Sequence, residues 1–333
     1  MSEALVPPWV VQQRSALLAQ RGHAWLLQGP SGLGQYRLAL ELVRAWLCDT
    51  PGARGACGQC ASCHAIDVHG HADLCLLMPE AMMLELGWPL SEKAQSEIDN
   101  KSRKPSKEIR VDAMRDAVEF SQRTSARGRG KAVLVYPAER MNHITANALL
   151  KTLEEPPGDV KFVLATGAAH QLLPTIRSRC MGHNMVWPDT VESTTWLQAQ
   201  GVPAADAPVL LAAAGGRPED ALQWAQAGRT AQSWSALPRA VAQGVLTTFA
   251  DWGPAQVVDA LQKLCHDLLL VRVGAAPRFF GAKDLPSAPS GKLLTQWAKD
   301  LNATARVVEH PFNAGLLLES LVGRAQNVLN SRL

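Results

Sequence analysis

The sequence predicts an α/β protein whose first part is a parallel sheet covered by helices and whose second part is helical. Two observations support this prediction. Short apolar runs alternate with segments of helical period as far as Trp187, and no strand pattern follows Pro188. A glycine-rich loop also lies between the first predicted strand and the next helix, which is the structural context of a phosphate-binding loop.

Length and composition set the outer limits. A chain of 333 residues is expected to form two or three domains, and its 47% apolar content is ample for packed cores. The net charge of +3 does not favour a protein that holds nucleic acid by bulk electrostatics. No apolar run reaches the roughly 18 residues of a membrane span, and residues 1–8 lack the basic and apolar regions of a signal peptide. We therefore expect a cytoplasmic protein with no membrane association.

The elements of the first part are predicted from apolar periodicity. In chain order they are helix 9–21, strand 24–27, helix 37–47, strand 74–78, helix 112–122, strand 132–136, helix 142–153 and strand 161–166.

Two other segments are predicted from composition. Residues 79–107 are first apolar and acidic and then basic, which predicts a mobile insertion or a lid-like loop. Its basic residues fit a solvated charged loop better than a phosphate contact: Lys101, Arg103, Lys104 and Lys107. Residues 229–333 are predicted to be helical throughout, with a break at 277–289.

The glycine-rich loop has the outline of a phosphate-binding loop but lacks its two chemical residues. Gly29, Gly32 and Gly34 supply the glycines, yet Gln35 and Tyr36 stand where a working loop has Lys and Ser or Thr. Gln35 carries no charge to neutralise a phosphate, and the Tyr36 hydroxyl is too far from the backbone to replace a short metal-binding hydroxyl. Taken alone, the loop fits a degenerate nucleotide site and an ordinary glycine-rich turn equally well.

A second loss follows the strand at 132–136. In a P-loop ATPase the next residues are acidic, because they hold magnesium and orient the attacking water. This chain has Pro137 and Ala138 there, with only Glu139 beyond them.

Four cysteines follow the loop's helix at spacings that favour zinc. Cys57, Cys60 and Cys63 are separated by two-residue gaps, and Cys48 precedes them. Four thiolates close a tetrahedral site, so we expect structural zinc that contributes on the order of 10 kcal/mol to local folding. His64 in place of one cysteine, or a redox role for the thiols, remain alternatives. The other cysteines are isolated and are expected to be buried apolar residues: Cys75, Cys180 and Cys265.

Two further motifs carry a family resemblance. Residues 147–157, Asn-Ala-Leu-Leu-Lys-Thr-Leu-Glu-Glu-Pro-Pro, and 178–180, Ser-Arg-Cys, closely resemble bacterial clamp-loader subunits of the AAA+ class, and the cysteine insert is similar in placement to the zinc module of that family. The motifs cover residues 20–230, and the C-terminal part is similar in order and length only.

The resemblance implies three domains. They are a RecA-like AAA+ domain at 1–187 with a zinc module at 48–63, a small helical lid domain at 188–228, and an all-α collar domain for oligomerisation at 229–333.

The resemblance also implies roles for single residues. Arg179, flanked by Ser178 and Cys180, would act as an arginine finger in the ATP site of a neighbouring subunit; the alternative is an ordinary surface or ion-pairing arginine. Thr166 matches a sensor position but has no evident work without bound nucleotide. Glu219 stands where the family's lid usually has a basic sensor residue, and it would repel a triphosphate.

The implied function is that of a non-hydrolysing stator subunit of the replicative clamp loader. Its partners would be motor subunits of the gamma/tau type, a delta subunit, the sliding clamp, and primed DNA passing through the assembled complex. ATP would be neither bound nor hydrolysed by this chain, and the polymerase activity of the replicase would belong to other subunits. An active AAA+ ATPase with an atypical loop is the main alternative, and a zinc-dependent nucleic-acid adaptor outside replication is the third.

Overall fold

The computed structural model describes residues 6–308, 310 and 312–331. Two compact units make up the chain, and the boundary between them lies between Pro188 and Asp189. Among the described residues, no helix has both the length and the apolar character needed to cross a membrane.

The first unit alternates helices and strands. Its elements in chain order are α1 (Pro8–Leu18), β1 (Ala24–Gln28), α2 (Gln35–Leu47), α3 (Ala61–Asp67), β2 (Leu74–Leu77), α4 (Glu80–Glu85), α5 (Glu92–Asp99), α6 (Val111–Gln122), β3 (Lys131–Val135), α7 (His143–Glu154), β4 (Val160–Thr166), α8 (Pro174–Arg177) and β5 (Met181–Asn184).

The strands form one parallel sheet in the order β2-β3-β4-β1-β5, which confirms the predicted parallel sheet. Leu26 of β1 lies opposite Leu164 of β4, and Leu134 of β3 lies opposite Val163. These inner strands are apolar and buried along nearly their whole length because helices cover both faces of a parallel sheet. The loops that follow β1, β3 and β4 consequently meet at the carboxyl ends of the strands, where α/β proteins place their ligands.

Strand β5 was not predicted. It pairs with β1, with Gly182 opposite Leu26, and lies at the sheet edge with most of its residues exposed. Because an exposed edge strand needs no apolar run, its sequence, Met-Gly-His-Asn, lacks the periodicity that identifies a buried strand.

The prediction of a mobile loop at residues 79–107 was wrong, because this segment contains α4 and α5. Glu80, at the start of α4, accepts bonds from both terminal nitrogens of Arg103, one of them at 2.7 Å, and from the Ser106 backbone N–H at 2.8 Å. Arg103 also donates from Nε to Glu97 in α5 at 2.6 Å. Arg103 therefore joins α4 to α5 through hydrogen bonds and is not the solvated charge that composition suggests.

The second unit is helical, as predicted. Its helices are α9 (Thr190–Ala199), α10 (Ala207–Ala213), α11 (Pro218–Gln226), α12 (Ala231–Gln243), α13 (Pro254–Arg272), α14 (Gly291–Val307) and α15 (Ala314–Asn330).

One hydrophobic core runs through this unit. Ala213 and Trp224, from the predicted lid, pack in the same cluster as Trp234 and Phe280 from the predicted collar. The division into lid and collar therefore stays a prediction. The predicted break at 277–289 lies between α13 and α14, and the buried carboxylate of Asp267 fixes it by accepting the backbone N–H groups of Arg278, Phe279 and Phe280.

Candidate functional site

The loop between β1 and α2 turns on two glycines with left-handed backbone conformations. Gly32 has φ +80° and Gly34, which precedes α2, has φ +93°. Side chains other than glycine are strained at such angles. The intervening Leu33 is fully buried, and its carbonyl accepts a 2.9 Å bond from the Trp9 indole of α1. The loop is thus held in a fixed shape by packing against α1.

Gln35 directs its amide into the loop itself. The helix begins at Gln35, two residues earlier than predicted. The side-chain nitrogen donates to the carbonyls of Gly29 at 2.7 Å and Pro30 at 2.6 Å, and the residue is only 4% exposed. The donors at the position of the phosphate-binding lysine are therefore used up by the loop's own backbone.

Tyr36 joins the loop helix to two other segments. Its hydroxyl accepts a 2.7 Å bond from the indole nitrogen of Trp88, which lies in the 79–107 segment. Its ring stacks on Tyr136, the residue after β3, with 5.3 Å between centroids, and burial raises the pKa of the Tyr36 hydroxyl. His69 stacks in turn on Trp88 at 3.9 Å. A row of contacting aromatic side chains therefore stands where a working phosphate-binding loop has its metal-binding hydroxyl. Nothing in the local sequence predicts that Tyr36 contacts Trp88.

Glu139 and Thr166, also at the carboxyl ends of the strands, are hydrogen-bonded to each other. The Thr166 hydroxyl donates to Glu139 Oε2 at 2.7 Å, and the Gly167 backbone N–H donates to Oε1 at 3.0 Å. Thr166 is fully buried, and its hydroxyl also accepts the Ala168 N–H at 3.0 Å. The expectation that Thr166 has no work without nucleotide was wrong, because it anchors the loops after β3 and β4.

The four predicted zinc ligands come together. All four sulfurs lie within 4.8 Å of one another. Cys48 is 3.8 Å from Cys60 and from Cys63, and Cys57 is 4.0 Å from Cys63. A tetrahedron with zinc–sulfur bonds of about 2.3 Å has sulfur–sulfur edges of roughly 3.8 Å. The four-cysteine cluster therefore fits zinc, and His64 is not part of the cluster.

The thiols are held by their surroundings. The backbone N–H groups of Cys57 and Cys63 donate to the sulfurs of Cys48 and Cys60, at 3.3 Å and 3.4 Å. Burial raises the pKa of Cys63 to about 12, whereas hydrogen bonds, first that of the Thr50 hydroxyl, lower the pKa of Cys57 to about 6. A bound metal ion would take all four as thiolates and release the remaining protons.

Ion pairs connect the cysteine segment to its neighbours. Asp49 accepts the Ser62 hydroxyl at 2.7 Å and Arg127 at 3.1 Å, and these bonds hold the pKa of Asp49 well below its usual range. Arg44 of α2 pairs with Asp67 at the end of α3. The candidate zinc module is therefore attached to the same helix that begins at the glycine loop.

Arg179 follows α8 and is held from one side only. Its Nε donates to Glu154 Oε1 at 2.6 Å, Nη2 bonds the same oxygen, and Nη1 donates to the Thr175 carbonyl at 2.8 Å. The neighbouring Ser178 hydroxyl donates to the same carbonyl at 3.2 Å, and burial raises the pKa of Cys180 to about 12. The Arg179 side chain remains 29% exposed.

The predicted residues thus fall into separate groups. The loop, Glu139 and Thr166 lie at the carboxyl ends of the strands, whereas Arg179 makes no hydrogen bond to residues 29–36 in the described part of the chain. Glu219 lies in the first turn of α11, in the second unit, so its proximity to the loop stays a prediction.

Comparison with known proteins gives a consistent result. Residues 10–186 match the family model described as DNA polymerase III, delta subunit. The chain is 39% identical over 203 residues to DNA polymerase III subunit delta′ of Pseudomonas aeruginosa, covering 60% of this chain but only 55% of that relative. The same subunit of Escherichia coli is 34% identical over 306 residues, covering 89% of this chain and 83% of the relative. DNA polymerase III subunit tau of Salmonella typhimurium is 35% identical over 159 residues, 48% of this chain and 21% of the relative.

A solved structure supports the fold. The gamma subunit-related protein of Thermotoga maritima superposes with a TM-score of 0.51 at 17% identity, covering 96% of this chain and 99% of its own. The family model matches more than half of the chain, and the Escherichia coli relative aligns along most of it. These matches confirm the resemblance carried by the motifs, and the chain belongs to the family of bacterial DNA polymerase III delta-prime subunits.

Proposed function

We propose that this chain is a non-hydrolysing clamp-loader subunit that supplies Arg179 to the ATP site of a neighbouring subunit. One observation carries the proposal. The side chains that replace the lysine and the hydroxyl of a working loop are bonded within the chain, whereas Arg179 keeps an N–H on each terminal nitrogen.

Missing positive charge and missing metal ligands would leave this chain without an ATPase activity of its own. Phosphoryl transfer needs cations to neutralise the charge that develops on the transferred group. Gln35 offers none, Tyr36 is bonded to Trp88, and Glu139 is bonded to Thr166. Magnesium therefore lacks both of its usual protein ligands, the short hydroxyl and a free acidic side chain after β3.

Arg179 would contribute a large rate gain to the ATP site of a neighbouring subunit. An arginine finger supplied in trans accelerates phosphoryl transfer by roughly 10³–10⁵, or about 4–7 kcal/mol of barrier. Arg179 would stabilise charge on the γ-phosphate of a nucleotide bound by the adjacent subunit.

The partners follow from the family. They would be motor subunits of the gamma/tau type and a delta subunit. In the cytoplasm, the assembled complex would load the sliding clamp onto primed DNA. The second unit would provide the lid at 188–228 and the oligomerising collar, and Cys48, Cys57, Cys60 and Cys63 would hold a structural zinc ion.

The decisive experiment uses the complete complex. Arg179→Ala is expected to lower its DNA-stimulated ATPase while leaving assembly intact. Arg177→Ala is the matched control, because Arg177 is an exposed arginine two residues earlier. An Arg179→Ala complex that hydrolyses ATP at the wild-type rate would remove the proposed role.

The main alternative is an active ATPase with an atypical loop, which the left-handed Gly32 and Gly34 still permit. Calorimetry of the isolated chain with magnesium-ATP separates the two, and tight binding with turnover would favour the enzyme. Co-purification of motor subunits with the chain separates the clamp loader from a zinc-dependent adaptor outside replication.

A further inference from the structure

We propose that Glu154 is the residue that positions Arg179 for its neighbour. Glu154 is the last residue of α7, and Arg179 follows α8, 25 residues later in the chain. This inference rests on the proposed role of Arg179 in trans and adds a second residue of the same chain to that role.

The contacts fix the plane of the guanidinium. Glu154 Oε1 accepts from Nε and from Nη2, and the Thr175 carbonyl accepts from Nη1. A guanidinium is planar and has five N–H groups in a rigid fork. Bonds to Nε and to both terminal nitrogens set its plane and its direction, and they leave one N–H on each terminal nitrogen for a phosphate oxygen.

Ordering the side chain in advance lowers the cost of its later use. A mobile arginine loses side-chain entropy when it is immobilised. A finger already oriented by Glu154 and Thr175 has lost part of that freedom before the neighbour docks, which favours productive geometry.

The exposure of the Arg179–Glu154 pair favours a Glu154 that orients Arg179 over one that holds Arg179 back from the neighbouring subunit. The side chains of Arg179 and Glu154 are 29% and 47% exposed. A pair this accessible to water is weak, because solvent screens its attraction. A triphosphate with several negative charges would therefore compete readily for the outer N–H groups, while Glu154 keeps the side of the guanidinium that includes Nε.

The neighbouring residue supplies a matched control. Glu155 is also exposed, and its side chain makes no hydrogen bond or ion pair within the described residues. Glu154→Ala removes the acceptor, Glu154→Gln keeps a carbonyl oxygen in its place, and Glu155→Ala removes an equal charge one residue away.

The test measures kcat and KM for ATP in the reconstituted complex with clamp and primed DNA, beside Arg179→Ala. Glu154→Ala is expected to lower kcat by about tenfold, a smaller loss than in Arg179→Ala, with KM for ATP unchanged, because the finger remains but its direction is lost. Glu154→Gln is expected to restore most of that kcat, and Glu155→Ala to match wild type. Equal elution of all complexes in gel filtration verifies assembly.

The outcomes separate this inference from the proposal on which it rests. If Arg179→Ala lowers kcat and Glu154→Ala does not, or if Glu154→Ala raises it, positioning by Glu154 is overturned and the finger stands. An equal loss in Glu154→Ala and Glu154→Gln also overturns positioning through the hydrogen bond. If Arg179→Ala has no effect, the finger itself is overturned, and the role of Glu154 with it.

Discussion

The glycine loop and the arginine motif, the two segments on which the proposed function rests, differ in how their polar groups are bonded. In the loop region, Gln35 is bonded to two loop carbonyls and Tyr36 to Trp88. In the arginine motif, Arg179 is bonded on one side and partly exposed on the other. Both side-chain N–H groups of Gln35 are used within the loop and stabilise the fold, whereas Arg179 has one N–H left on each terminal nitrogen for another molecule.

The comparison predicts where substitutions act. Changes in the loop region should lower the stability of the isolated chain, and changes in the arginine motif should leave that stability nearly unchanged. Four measurements test this contrast.

Removal of the proposed zinc ion is expected to have the largest effect. Structural zinc contributes on the order of 10 kcal/mol to the folding of small modules. Because Arg44–Asp67 attaches the module to α2, a chelator or Cys60→Ser should increase hydrogen exchange in 48–67 and in α2 while sparing 174–180. Cys265→Ala, a cysteine of the second unit, should keep the full zinc content. Full zinc retention by Cys60→Ser would contradict the four-thiol site.

Tyr36→Ala is expected to follow. It removes the stack on Tyr136 and leaves the Trp88 indole N–H without its partner, so the first unit should lose about 3 kcal/mol in denaturant unfolding. Tyr36→Phe keeps the ring and should lose only about 1–2 kcal/mol, the cost of the unpaired N–H. Wild-type stability in Tyr36→Ala would mean that the contacts of Tyr36 with Tyr136 and Trp88 do not stabilise the first unit.

Acidification should loosen the segment that holds Trp88. Arg103 holds the pKa of Glu80 below its usual range, so the pair's contribution is complete above the ordinary glutamate pKa of about 4.3 and is lost as the pH falls through the lower folded value. The charged bonds contribute about 1–3 kcal/mol. Glu80→Gln should therefore weaken the acid dependence of thermal unfolding, whereas Glu85→Gln, an exposed residue of the same helix, should leave it intact. Identical acid profiles for Glu80→Gln and wild type would exclude this pair as the cause.

Arg179→Ala should have the smallest effect on stability. The pair with Glu154 is partly exposed, so the isolated chain should lose less than about 1 kcal/mol in denaturant unfolding. A loss of several kcal/mol would instead make Arg179 a structural residue, as the ion-pairing alternative requires.

Much of the first unit was predictable from the sequence. Strands β1 to β4 are apolar runs, and their predicted limits differ from the observed ones by one residue or less. The four thiols were predicted from spacing alone, because two-residue gaps in a turn-rich segment leave few other arrangements. Strand β5 and the helices of 79–107 were not predicted, since edge strands and short helices show only weak apolar periodicity.

The sequence by itself determined that the loop lacks its lysine and its short hydroxyl, that Glu139 is the nearest acid after β3, and that the arginine motif is complete. Only the tertiary structure decided what those residues do instead. Gln35 turns back into the loop, Tyr36 meets Trp88 52 residues away, and Arg179 meets Glu154. The physical reason is that periodicity records which face of an element is buried, whereas partners of polar groups depend on how distant segments pack.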